Sequence, residues 1–357
     1  MQNDDPIKGR GAQIHIANKF EQYRNVTDSD FLNHTLLEDG KLTNTKTRLI
    51  DTYPKTIVNR VDSPDVGMNY SLNPYQGCEH GCVYCYARNS HEYWGYDAGL
   101  DFESTILVKR NAPDLLEKKL QSKRWIAQPI VLSGNTDCYQ PIEKDLGLTR
   151  KLLSLFLKYK HPVGIITKNA LIQRDLDILS DLAKDNLIRV IISITSLSEE
   201  TRRLLEPRTA SVQKKLQTIE VLTAYQIPVS IMMAPIIPSL NSHEILALAK
   251  ETSIRGAHSI GYTMVRLNGA IGTIFTDWLQ RTMPDKKERI LNQIKQCHGG
   301  QLNNSNYGQR MKGSGELADQ IAQLFGVARK KYFSKNKTTQ LNCELHKFHK
   351  DNQYKLF

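Results

Sequence analysis

The sequence predicts an α/β protein built on a partial (β/α)6 TIM-like barrel, with an extension at either end. Three observations carry that expectation. Short β-rich apolar runs alternate with amphipathic stretches from about residue 68 to residue 274. The alternation counts six βα units, too few to close an eight-stranded barrel. A loop dense in cysteine directly follows the first strand, at the end of the sheet where open α/β folds gather their chemistry.

Residues 1–60 are polar, and KGRGAQIHIANKFEQ reads as an ordered extension. The expected strands are 68–72, 130–133, 163–167, 189–195, 229–234 and 259–265, rich in Ile, Val and Met. Such continuous apolar runs suit parallel strands covered on both faces. Amphipathic helices are expected at 146–159, 171–186, 211–226 and 242–251, the last opened by Asn241, Ser242 and Glu244. From Phe275 the rhythm changes. FTDWLQRTMPDKKERILNQIKQCHGG reads as a helix with Trp278 and Leu279 facing inward and a glycine stop, and RMKGSGELADQIAQLFGVARKKY as another. The expected division is therefore an extension at 1–60, a barrel core at 61–274, a helical region at 275–328 and a basic tail at 329–357.

At 357 residues and 40% hydrophobic, the chain can bury a sizeable core. MQNDDPIKGR carries no apolar signal region, and 229–238, the most apolar stretch, is too short to span a bilayer. A soluble cytoplasmic protein without a membrane partner is expected. The net charge of +11 suggests a polyanionic partner, nucleic acid being the commonest. Arg329 to Lys355 holds eight Lys or Arg against two acids, so +6 of the +11 lies in the tail. Concentrated charge of this kind suits phosphate contact.

The cysteine loop, NPYQGCEHGCVYCYAR, places Cys78, Cys82 and Cys85 in the pattern CxxxCxxC. Three close thiolates suit a 4Fe–4S cluster and leave one iron free to bind something else. Six cysteines in 357 residues do not make a disulfide framework. Zinc is the alternative: Cys82 and Cys85 form a C-x2-C pair that His80 and Cys78 could complete.

The loop closely resembles the signature of the radical S-adenosylmethionine superfamily. With KGRGA, GNTDCYQPIE, ITKN, LEPRTAS and APIIPSLN, the chain resembles that superfamily's spore-photoproduct-lyase-like branch, and an uncharacterised bacterial subfamily within it. The resemblance implies a barrel of the radical S-adenosylmethionine type. It implies a cluster on Cys78, Cys82 and Cys85, whose open iron chelates S-adenosyl-L-methionine and cleaves it to a 5′-deoxyadenosyl radical. Further cofactor contacts implied are Tyr84 beside the adenine, Asn135, Thr136 and Asp137 near the methionyl amino group, and Lys168, Ser193 and Arg208 near the ribose and carboxylate. Tyr84 and Tyr86 match a tyrosine pair linked in the lyases to a radical relay. The lyases carry a hydrogen-donating cysteine where this chain has Gly134. Cys138 lies four residues later and is expected at the strand-end rim as a shifted donor.

The leading expectation is a radical enzyme acting on nucleic acid, a DNA repair photolyase-like lyase, fed by an electron donor such as flavodoxin or ferredoxin. A peptide, protein or small-metabolite substrate, or a non-catalytic iron–sulfur protein binding nucleic acid, are the competing readings. The terminal QYKLF resembles peptides that dock DNA sliding clamps, with Gln353, Leu356 and Phe357 as anchors. CELHKFH, with Cys343, His346 and His349, reads as part of the same basic tail rather than a metal site.

Overall fold

The computed structural model describes residues 6–20, 46–334 and 340–350, apart from the side chains of 348–350. Six strands make the expected parallel array: β3 (Tyr70–Leu72), β6 (Ile130–Leu132), β7 (Val163–Thr167), β8 (Ile188–Ser193), β9 (Val229–Ile236) and β10 (Ser259–Met264). Each pairs with its neighbour in parallel, and the order β10-β9-β8-β7-β6-β3-β2 leaves the sheet open. The edge strand β2 (Val58–Arg60) runs antiparallel to β3 and was not anticipated. Neither was a small sheet in which β5 (Thr105–Lys109) lies between β1 (Arg48–Thr52) and β4 (Tyr75–Gln76). β1, β2 and β4 are short and lack a sustained apolar run, so periodicity carries little signal for them.

The helices Leu148–Lys158, Leu176–Lys184, Val212–Ala224 and Ile245–Ile254 cover the sheet. Their inner faces and the strands share one apolar core containing Leu152, Phe156, Leu179, Ile219 and Leu248. A second core joins the cysteine loop to the C-terminal helices through Val83, Tyr84, Phe275, Trp278 and Leu279. The stretch expected as one helix is two, Ala270–Thr282 and Pro284–Cys297, because Pro284 cannot continue the first and opens the second. The boundary drawn at 275 therefore falls inside a helix, and that at 329 inside Glu316–Tyr332.

The tail is not solvated throughout. The helix Glu344–Lys350 follows a segment in which Asn342 N donates to Asn186 O and Asn186 Nδ2 to Gln340 O. His346 is buried edge-on against His161, with Nδ1 2.7 Å from Tyr159 O. These contacts precede β7 and β8, so the helix docks at the end of the sheet opposite the cysteine loop. Gln353, Leu356 and Phe357 lie outside the described residues. Among the described residues no helix is long and apolar enough to cross a membrane.

Candidate active site

The cysteine loop is held from every side. Cys78 N donates to Phe102 O, Val83 N to Leu205 O and Cys85 N to Cys82 O. Glu79 anchors the loop through its carboxylate, which accepts from Ile142 N (2.7 Å), Thr47 Oγ1 (2.6 Å) and Arg208 Nη2 (3.1 Å). Gly81 takes φ +68°, a conformation that favours glycine. The KGRGA segment lies directly on it: a Cβ on Gly11 would stand 1.8 Å from Gly81 O. Glu103, fully buried, accepts from Gly11 N, Ala12 N and Arg88. Arg88 in turn donates to Cys82 O at 2.9 Å and to Ala98 O and Gly99 O. The N-terminal segment and the loop are thus one hydrogen-bonded unit, in which the buried charges of Arg88 and Glu103 are paired.

Cys78 and Cys82 are buried and Cys85 partly exposed. Burial pushes all three thiols up, and neighbouring charges add to or offset the effect. The three thiols fit a 4Fe–4S cluster that leaves one iron open, since the loop supplies no fourth thiolate. His80 is engaged within the protein: Nδ1 lies 3.3 Å from Asp137 and Nε2 3.4 Å from Asn169 Nδ2.

The ends of β6, β7 and β8 bring the other expected residues beside the loop. Asn135 N donates to Asn73 Oδ1, and its side chain meets Gln76 and Ser90. Thr136 Oγ1 donates to Tyr75 O. Asp137 accepts from Tyr139 N, Lys168 N and Thr167 Oγ1 as well as facing His80. Burial works against its ionisation, but His80 and the two backbone N–H groups hold it below the usual carboxylate range. Its oxygens are filled by the protein itself, so Asp137 fixes β6, β7 and the loop relative to one another. Arg208 pairs with Glu79 and remains about one-third exposed.

Sequence reasoning missed the charged centre of this region. Glu206, completely buried, receives Lys168 Nζ (3.0 Å) and Lys215 Nζ (2.9 Å). Its Oε1 also accepts from the hydroxyls of Tyr84 and Thr195. Burial alone would raise its pKa; the two ammoniums hold it well below the ordinary value. Lys168 further donates to Ser193 Oγ at 2.8 Å. Glu206 lies inside LEPRTAS, but nothing in the string indicates which buried cations it meets. Two ammoniums to one carboxylate leave the group a net cation beside Cys82.

Cys138 is corrected. It is completely buried in the main apolar core, not on the rim. Ser133, at φ +69°, turns the chain so that Gly134 lies over Ser71 while Cys138 packs inward, its amide donating to Ser133 Oγ. Tyr86, by contrast, is 55% exposed, and its hydroxyl donates to Gly134 O. It stands at the mouth, whereas Tyr84 is buried and tied to Glu206.

The profile of the Radical SAM superfamily matches residues 72–252, just over half of the chain. An uncharacterized protein of Methanocaldococcus jannaschii is 30% identical over 249 residues, covering 70% of this chain and 89% of that one. An uncharacterized protein of Mycobacterium tuberculosis strain H37Rv is 29% identical over 238 residues, covering 66% and 70%. Among solved structures, a spore photoproduct lyase variant with bound AdoMet and dinucleoside spore photoproduct superposes with TM-score 0.60 at 14% identity, over 88% of this chain and 94% of that one. Another lyase variant gives TM-score 0.59 at 15% identity, over 85% and 92%. These likenesses show the fold, a partial TIM barrel.

Proposed function

The chain belongs to the radical S-adenosylmethionine superfamily, and we propose that it acts on nucleic acid as a DNA repair photolyase-like enzyme. The family makes it an enzyme that uses a 4Fe–4S cluster and S-adenosyl-L-methionine. When bound, the two supply a reducing electron and a 5′-deoxyadenosyl radical. Cys78, Cys82 and Cys85 would hold the cluster. Lys168 and Ser193 would meet the cofactor's carboxylate and ribose, with Tyr84 beside the adenine and Asn135, Thr136 and Arg208 shaping the rim. Glu206 and Asp137 keep Lys168 in place from its two ends. Tyr86, rather than Cys138, has a hydroxyl at the mouth from which a hydrogen atom could be given to a substrate radical.

The observation that carries the substrate class is the net +5 that the chain keeps outside its +6 tail, together with an exposed tyrosine ring, Tyr86, at the barrel mouth. Phosphates and bases are bound by that combination. A reducing cytoplasm with flavodoxin or ferredoxin as electron donor suits such a cluster. The terminal Gln353, Leu356 and Phe357 would dock a sliding clamp. The helix Glu344–Lys350 before them is anchored away from the mouth, so clamp and substrate need not compete.

The test is 5′-deoxyadenosine formation by the reconstituted protein under anaerobic reduction. Ultraviolet-irradiated DNA should raise the rate above that without substrate. Stimulation by peptides alone, with none by DNA, would overturn the substrate class and leave the cofactor chemistry standing.

A further inference from the structure

Arg266 lies two residues beyond the C-terminal end of the edge strand β10, against a segment that joins the two open edges of the sheet. Met264 N donates to Met311 O and Leu267 N to Leu302 O, tying residues 302–311 to the β10 side. From there the segment reaches the β2–β3 connection. Gly308 N donates to Asp65 Oδ1 at 2.7 Å, and Arg310 Nε lies 2.6 Å from Asp65 Oδ2. Arg310 also donates to Ser63 Oγ, and its guanidinium sits 4.4 Å from the centre of the Tyr307 ring. Arg310 is therefore fully employed in closing the seam.

Arg266 is not. Its Nε is buried and has no partner, and its one hydrogen bond among the described residues runs from Nη1 to Met311 Sδ at 3.6 Å. No carboxylate pairs with it among the described residues. Burial and the neighbouring Arg310 both disfavour its charge, and Asp65 and Tyr86 only partly compensate. Its place just past the C-terminal end of β10 puts Arg266 at the end of the sheet where the cysteine loop follows β3. A half-buried cation without a counter-ion costs free energy that packing elsewhere must offset. Nearby on the same chain, Asn268 Oδ1 and Asn303 Oδ1 are likewise buried without partners. Arg88 and Arg202, by contrast, each donate to several acceptors.

We propose that Arg266 is a substrate-binding residue that takes a backbone phosphodiester of the nucleic acid at the strand-end mouth. The assignment rests on the nucleic-acid reading above and deepens it. A planar guanidinium matches the paired oxygens of a phosphodiester. Tyr86 at 55% and Tyr307 at 60% are both more than half exposed, so each offers a face on which a base can stack.

A dinucleotide isolates this contact, because it is too short to span the mouth and the basic tail together. The full-length, cluster-loaded protein is titrated with thymidylyl-thymidine and with its uncharged methylphosphonate counterpart. The wild-type protein should prefer the charged probe about 10- to 100-fold, the range of one charge-assisted hydrogen bond. Arg266→Gln should lose that preference and Arg266→Lys should keep part of it. With a labelled oligothymidylate, Arg266→Gln should also reduce the log–log salt slope by about 0.7. Equal binding of the two dinucleotides by the wild-type protein overturns the Arg266 assignment alone, whether or not the variants fold. Failure of both the dinucleotide and the oligothymidylate to bind removes the nucleic-acid reading and this assignment with it.

Discussion

Replacing Glu206 by Gln should cost the cluster-free protein about 3–5 kcal/mol of folding stability. The carboxylate is completely buried, and its two cationic partners stand at 3.0 and 2.9 Å. Gln retains an oxygen for the hydroxyls of Tyr84 and Thr195, so the change removes chiefly the charge. Two ammoniums then face each other across a neutral amide. Unfolding entropy of about 2.1 cal/mol/K per residue over this length gives roughly 0.75 kcal/mol per degree. The expected fall in the thermal midpoint is therefore about 4–7 °C. A second variant separates charge from shape. Adding Lys215→Met to Glu206→Gln removes one of the two stranded cations and should recover most of the loss. The assay is thermal and urea unfolding of both proteins at neutral pH. A single variant within about 1 kcal/mol of wild type, or a double variant worse than the single, would refute the charge-balance argument. The pH dependence has a defined sign. Glu206 is held below its unfolded pKa, so its contribution is complete above about pH 4.3 and disappears as the pH falls further.

Four other outcomes follow from named contacts. Burial lowers His91 to about 4 and His161 to about 3, so both are neutral in the folded protein near pH 5, where an unfolded histidine is already protonated. Their stabilisation is full above about pH 6.5 and should shrink by about 2 kcal/mol each at pH 5. Urea unfolding at pH 7 and pH 5 checks this, and His161→Gln should remove about half of the dependence. Gly11→Ala should destabilise the cysteine loop by about 1–3 kcal/mol or more, since its Cβ meets backbone that cannot yield. Iron content after anaerobic reconstitution should drop while the far-ultraviolet circular dichroism is retained; full iron loading would show that the loop does not need the N-terminal segment. Cys138→Ala should leave product formation intact and cost stability alone, read from 5′-deoxyadenosine yield and melting. Changing Leu356 and Phe357 to Ala should abolish binding to purified sliding clamp and leave DNA affinity nearly unchanged; equal clamp binding by both proteins would discard the motif.

The barrel was legible because its strands are apolar runs with no fully exposed position. Runs such as VGIIT in β7 are continuous in the sequence for that reason. The strands β1, β2 and β4 were not, because they are short and lie at sheet edges, and β5 was not because its pairing depends on partners far away in the chain. The cysteine loop could be read because its chemistry is local: three thiols and their spacing fit in eight residues. Cys138 failed for the opposite reason. Its proximity to GNTD suggested the rim, but the backbone turn at Ser133 reverses which side faces the mouth.

By itself, the sequence determined the open α/β barrel, the three-thiol site and the surplus of positive charge, all properties of residue type and short-range order. Tertiary structure alone decided which charges meet. Glu206 finds Lys168 and Lys215, and Glu103 joins the first residues of the chain to Arg88. It also left the buried Nε of Arg266 without a hydrogen-bond partner among the described residues. A buried charge must be paired within a few ångströms, and that distance is set by how the strand ends converge rather than by position along the chain.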